Sequence, residues 1–157
     1  MKLASVLATA TLLAFLAACG GGAGSPEDAV KGFIDAVKAG DGAKAAGYLS
    51  SNALAELDEQ LITLKDDPAM AVMALTSMGV EVTEAEVKDW KAEDFFAALI
   101  ETEVMRAELE EELDVTVTGS EVDGEEACVF ITTSDGDEEE VDMILENGQW
   151  KIFEMPN

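Results

Sequence analysis

Few side chains in this sequence could do chemistry beyond carrying charge. There is no histidine, which removes the commonest general base, the Ser-His and Cys-His nucleophile pairs, and most zinc and copper sites. An enzyme built on this chain would have to run on carboxylates, lysine, cysteine or its single tyrosine, Tyr48. The two cysteines sit in opposite settings. Cys128 lies in the strand-like run "EEACVFITTS", with no Lys, Arg or His near it in sequence to lower its pKa. It reads as a buried, inert packing residue. Cys19 instead closes an apolar run and opens a glycine run, in "LLAFLAACGGGAGS" at residues 12–25. Met70, Met73 and Met78 carry the thioether sulfurs of a copper(I) site. They lack Cys or His partners, so adaptable core packing is the better reading. "SDGDEEE" at residues 134–140 is the densest acidic patch. It lacks the D-x-[DN]-x-[DN]-G order of a calcium loop and reads as a charged hairpin tip. None of these patterns calls for a metal or a cofactor.

The segment ahead of Cys19 gives that residue its meaning. Lys2 is a short positive start, and residues 3–18 are apolar or small apart from Ser5, Thr9 and Thr11. Such a run is too short for a comfortable membrane span and about right for a secretory signal. It ends in Leu16-Ala17-Ala18-Cys19-Gly20. This L-[AS]-[GA]-C pattern resembles the lipobox of bacterial lipoproteins, and the match is complete. The resemblance implies that the Cys19 thiol receives a diacylglycerol and that a peptidase cuts before it. Residues 1–18 are then a signal peptide, and residues 20–25 a flexible tether. Each buried CH₂ contributes about 0.8 kcal/mol, so two acyl chains suffice for stable anchoring. By the same resemblance, an aspartate after the cysteine often holds a lipoprotein at the inner membrane. Gly20 does not, so the outer membrane is expected in a diderm cell.

Charge limits the partners. Lys and Arg total 9 against 34 Asp and Glu, a net charge of −25. Such a molecule repels nucleic acid, so DNA and RNA are set aside. Anionic lipid repels it too, so any membrane attachment must be covalent or apolar. The 157 residues are one domain's worth, and at 48% hydrophobic they can bury a core.

Two textures divide residues 26–157, read as a single α+β domain. The first is helical. Ser25-Pro26-Glu27-Asp28 is a helix start, and Val30, Phe33, Ile34 and Val37 share one face. Asp41-Gly42 predicts a turn and residues 43–49 a short helix. Ser51-Asn52 predicts the cap of a third, striped by Leu54, Leu57, Leu61 and Leu64 and ending before Asp67-Pro68. Residues 69–78 form another, and Thr83 to Glu86 is a capping box. A longer helix is expected over residues 93–113, with Phe95, Phe96, Leu99, Ile100 and Val104 inward. After Asp114, β-branched residues alternate with polar ones. Asp123-Gly124, Asp135-Gly136 and Asn147-Gly148 each predict a two-residue hairpin turn. The expected strands are 114–122, 125–134, 138–146 and 149–154, in an antiparallel meander with Val141, Met143 and Leu145 on its packed face.

Both ends of this domain resemble the nuclear-transport-factor-2-like superfamily, in its small bacterial lipoprotein members. "SPEDAVKGFIDAVKAGDGAKAAGYLS" is similar to their opening helix, turn and short helix, and "ENGQWKIFE" to their closing strand. The resemblance implies a curved four-stranded sheet wrapped around the helices as a cone with a partly apolar interior. Catalytic members resembling ketosteroid isomerases set an Asp base and a Tyr inside that cone. No acid here matches such a position by motif, so no catalytic residue is assigned.

Three functions follow from these residues. The preferred one is a noncatalytic, lipid-anchored envelope module, with Phe33, Tyr48, Phe96 and Trp150 lining a cavity for a small apolar ligand or a partner's side chain. Plain core packing is the competing role of each aromatic. A carboxylate-based isomerase or dehydratase is the second, and needs a buried acid with a raised pKa beside Tyr48. A structural homodimer through the open sheet face is the third.

Overall fold

The computed structural model describes residues 24–153. The expected signal peptide, Cys19 and the first residues of the expected tether lie outside them, as does the last residue of the expected fourth strand. Seven helices precede four strands among the described residues, an α+β order.

Helix α1, Pro26–Lys38, starts where its sequence directs: the Ser25 side chain accepts from the Asp28 N–H, and Asp28 returns the bond to Ser25. Helix α2, Gly42–Ala46, is capped by Asp41. Helix α3, Ser51–Asp66, begins at Ser51, itself expected as part of the cap, so the cap lies one residue earlier. Ser50 is the cap because its hydroxyl reaches the Ala53 N–H at 3.0 Å. Helix α4, Pro68–Ser77, and helix α5, Glu84–Asp89, follow, the latter with the expected capping box of Thr83 and Glu86. The expected long helix is instead two, α6, Ala92–Ile100, and α7, Glu103–Glu112. Thr102 divides them, donating to the Leu99 carbonyl at 2.9 Å and accepting from the Met105 N–H at 3.1 Å. A hydroxyl that caps a new helix competes with continuation of the old one. Val104 consequently leaves the inward face and is 52% exposed.

Strands β1, Thr116–Asp123, β2, Glu126–Thr132, β3, Glu138–Glu146, and β4, Gln149–Ile152, form one open antiparallel sheet in that order. Two of the three turns differ from expectation. Asn147 and Gly148, at φ 53° and 77°, make the two-residue turn that their sequence favours. Between β1 and β2 the loop is Gly124-Glu125, since Asp123 pairs with Glu126. Glycine then supplies the positive φ at the first loop position. Between β2 and β3 five residues intervene, because Thr132 pairs with Glu138. The Thr133 hydroxyl organises that loop, lying 2.6 Å from Asp135 Oδ1 and accepting from the Asp137 N–H.

The helices cover one face of the sheet. Val30, Ile34 and Val37 of α1 pack with Phe96 and Ile100 of α6 against Ala127, Val129, Ile131, Met143 and Ile152. A second cluster joins Leu61, Ala71, Leu75, Val80 and Val87 to Phe95. Adjacent residues of α6, Phe95 and Phe96, thus serve different cores. Close approach of α2 to α6 depends on Gly42, where a methyl group would lie 2.5 Å from Ala97 Cα.

Met70, Met73 and Met78 are not core. Helix α4 buries Ala71 and Leu75, one turn apart, which turns Met70 and Met73 outward. They are 65% and 72% exposed, and Met78 is 40% exposed. Cys128 is half-buried rather than buried. Its register opposite Glu121 and Asp142 places it on the face of the sheet away from the helices.

Candidate functional site

The aromatic residues expected in one cavity divide into two pairs. Phe33 and Phe96 stack with ring centroids 6.3 Å apart and planes at 26°. Phe96 is buried and Phe33 half-buried at the edge of the main core. Tyr48 and Trp150 instead line an open hollow of about 630 Å³ at the surface.

Backbone pairing puts Tyr48 and Trp150 together. The chain leaving α2 runs parallel to β4: the Ile152 N–H donates to the Tyr48 carbonyl at 2.8 Å, and the Ser50 N–H donates to the Ile152 carbonyl at 2.9 Å. Ser50 locks the junction, being fully buried, with its hydroxyl donating to the Phe153 carbonyl at 3.0 Å. The phenol end of Tyr48 then rests against α1 at Gly32, where a methyl group would come within 2.6 Å of Tyr48 Cζ. Only glycine leaves the ring that place without a shift.

Polar groups surround the aromatic pair. Lys44 of α2, Lys151 of β4 and Asp28 of α1 line the same hollow. The Lys151 ammonium donates to the Gly47 carbonyl, at the end of α2 where the helix dipole favours a cation. Gly24 and Ser25, the first described residues, form part of the wall. A second hollow, of about 840 Å³, lies at the far end of α1, between Val37, Lys38, Arg106, Leu109, Leu113 and Ser134. Among the described residues, its walls hold no aromatic side chain.

Among the described residues, the acids that depart from ordinary titration are all held low. The Ser120 hydroxyl, 2.7 Å away, is the main cause at Glu27. Hydrogen bonds from Thr83 do the same at Glu86, and from Thr133 at Asp135. These are solvated, hydrogen-bonded carboxylates, opposite in character to a protonated acid waiting in a dry pocket. The group pushed the other way is the Cys128 thiol, raised to about 11. Burial is the main cause, followed by a hydrogen bond to Glu140 and the charges of Glu140, Asp142 and Glu121.

Buried polar side chains among the described residues are Ser50 and Thr102, both occupied in the backbone bonds above. No cluster of three acidic or thiol side chains that could hold a metal occurs among the described residues. No helix among them is long and apolar enough to cross a membrane.

Sequence reasoning singled out Tyr48 and Trp150 but not Lys44, Lys151 or Asp28. The only available signal was the closing strand's "QWK", which pairs an aromatic with a cation without showing what lies opposite. Compared with protein-family models, with curated proteins and with solved structures, the chain matches none.

Proposed function

We propose that this chain is a lipid-anchored bacterial envelope protein, held through Cys19, whose domain is a noncatalytic binding or interaction module. Its binding surface is the hollow of Tyr48 and Trp150. One observation carries this reading: the space between helices and sheet is filled by apolar side chains, while the aromatic hollow opens at the surface beside the start of the described chain. A carboxylate enzyme would need the reverse, an open interior with an acid held protonated inside it. The order of helices and meander is the one expected of a nuclear-transport-factor-2-like domain, and we place the chain there as part of the same proposal. The complete lipobox supports the anchor, and Gly20 favours the outer membrane in a diderm cell.

The test is metabolic labelling with a radioactive fatty acid, followed by membrane fractionation. The natural chain takes label and fractionates with membrane, and Cys19→Ser loses both properties. Cys19→Ser protein that stays labelled and membrane-bound would refute the reading.

A further inference from the structure

The tether is short for the domain it holds. Gly24 is the fifth residue after Cys19, five steps along the chain that at full extension span about 17 Å. A folded domain of this size is roughly 35 Å across. If Cys19 is anchored at the lipid surface, the far side of the domain cannot be turned toward the bilayer. Whatever surrounds Gly24 faces the headgroups.

What surrounds Gly24 suits that position. Tyr48 and Trp150 have an apolar body and a polar tip, the chemistry that sits at a membrane–water interface. Lys44 and Lys151 flank them, against the single carboxylate of Asp28. Cations outnumber acids at this spot in a chain with 34 acidic and 9 basic residues. Lysine beside anionic headgroups is attractive within a Debye length, about 8 Å at physiological salt. The acidic remainder of the surface is repelled, which turns the same spot inward.

We propose that the hollow of Tyr48, Trp150, Lys44 and Lys151 docks the domain on the surface of the bilayer that anchors it. This rests on the lipid-anchor reading and names the partner of the hollow as a phospholipid surface. The tether supplies proximity, and the hollow supplies orientation.

The two tryptophans make the test internal. Trp150 borders the hollow, whereas Trp90 packs on Phe95 in the second core. The full-length lipidated chain is placed in vesicles of phosphatidylethanolamine and phosphatidylglycerol whose acyl chains carry bromine, a contact quencher of indole emission. Trp90→Phe leaves Trp150 as the sole reporter, and Trp150→Phe leaves Trp90. The expected result is loss and blue shift of Trp150 emission, with Trp90 unchanged. Lys44→Glu, an exposed change, should restore Trp150 emission in the Trp90→Phe chain while flotation with vesicles persists. Equal loss from both tryptophans, or greater loss from Trp90, overturns the docking face. So does full Trp150 emission in a chain that still floats, and a small molecule or second copy found on the hollow by native mass spectrometry would then name the true occupant. A chain that takes no lipid on Cys19 and fails to float overturns the anchor itself, and the docking with it.

Discussion

Replacing Gly42 with alanine tests whether close backbone approach, rather than side-chain burial, sets the seam between α2 and α6. A methyl group at this position would lie 2.5 Å from Ala97 Cα and 2.8 Å from the Ala97 carbonyl carbon. Comfortable carbon–carbon contact is about 3.5–4.0 Å, so one helix must retreat by about 1 Å. Neither clashing atom belongs to a side chain that can rotate away. Overpacking of this kind costs about 1–3 kcal/mol, and rigid backbone on both sides argues for the upper end. Alanine's better helix propensity offsets at most about 1 kcal/mol. The net loss is about 2 kcal/mol, or roughly 8 °C in Tm for a domain of this length. Urea denaturation followed by far-ultraviolet circular dichroism reads it as a lower midpoint with an unchanged slope. Gly119→Ala is the matched control, since a methyl group there would have no neighbour within 4 Å. An unchanged or raised midpoint for Gly42→Ala, or an equal fall for Gly119→Ala, would refute the reasoning.

Three further outcomes are expected. Ser50→Ala removes the cap of α3 and the partner of the Phe153 carbonyl together, and should cost about 2 kcal/mol in the same denaturation assay. Ser120→Ala should weaken the fold near neutral pH through Glu27, whose pKa its hydroxyl holds below the ordinary 4.5. A lowered carboxylate pKa stabilises above the ordinary value and loses its effect as pH falls through the folded value, so the deficit should shrink as denaturation is repeated from about pH 5 toward about pH 2. Iodoacetamide should alkylate Cys128 roughly 100-fold more slowly than an ordinary thiol at mildly alkaline pH, because its pKa is about 11 against 9.0. The rate is measured on Cys19→Ser protein, where Cys128 is the sole thiol, and Glu140→Gln should raise it.

Local chemistry in this chain was legible wherever the controlling partner is a near neighbour in sequence. Ser25 with Asp28, Thr83 with Glu86, and Asn147 with Gly148 each direct a start or a turn within four residues, and each does so in the structure. The lipobox-like run ending at Cys19 is also a motif read along the chain, but it lies outside the described residues. Alternation in β3 likewise assigned Val141 and Met143 to the face that packs on the core, because a strand's period of two needs no partner to be seen. Where a polar side chain had two local options, the reading failed: Thr102 could continue a helix or cap a new one, and it caps.

Distance in sequence hid the rest. Glu146 accepts the N–H and the hydroxyl of Ser51, so a strand residue helps hold the start of α3. Nothing within a helical window predicts that bond. Composition described Met70, Met73 and Cys128 as apolar and therefore inward, but which apolar residues are buried depends on the surface opposite them. Ala71 and Leu75 took the contact on α4, and register turned Cys128 toward Glu121 and Asp142. The hollow is the clearest case. Tyr48, Lys44 and Asp28 belong to the first third of the chain, and Trp150 and Lys151 to its last strand. Sequence alone named the residue types. Their meeting is a tertiary decision, made by two backbone hydrogen bonds between Tyr48, Ser50 and Ile152 and by a glycine at position 32 that leaves room for a ring.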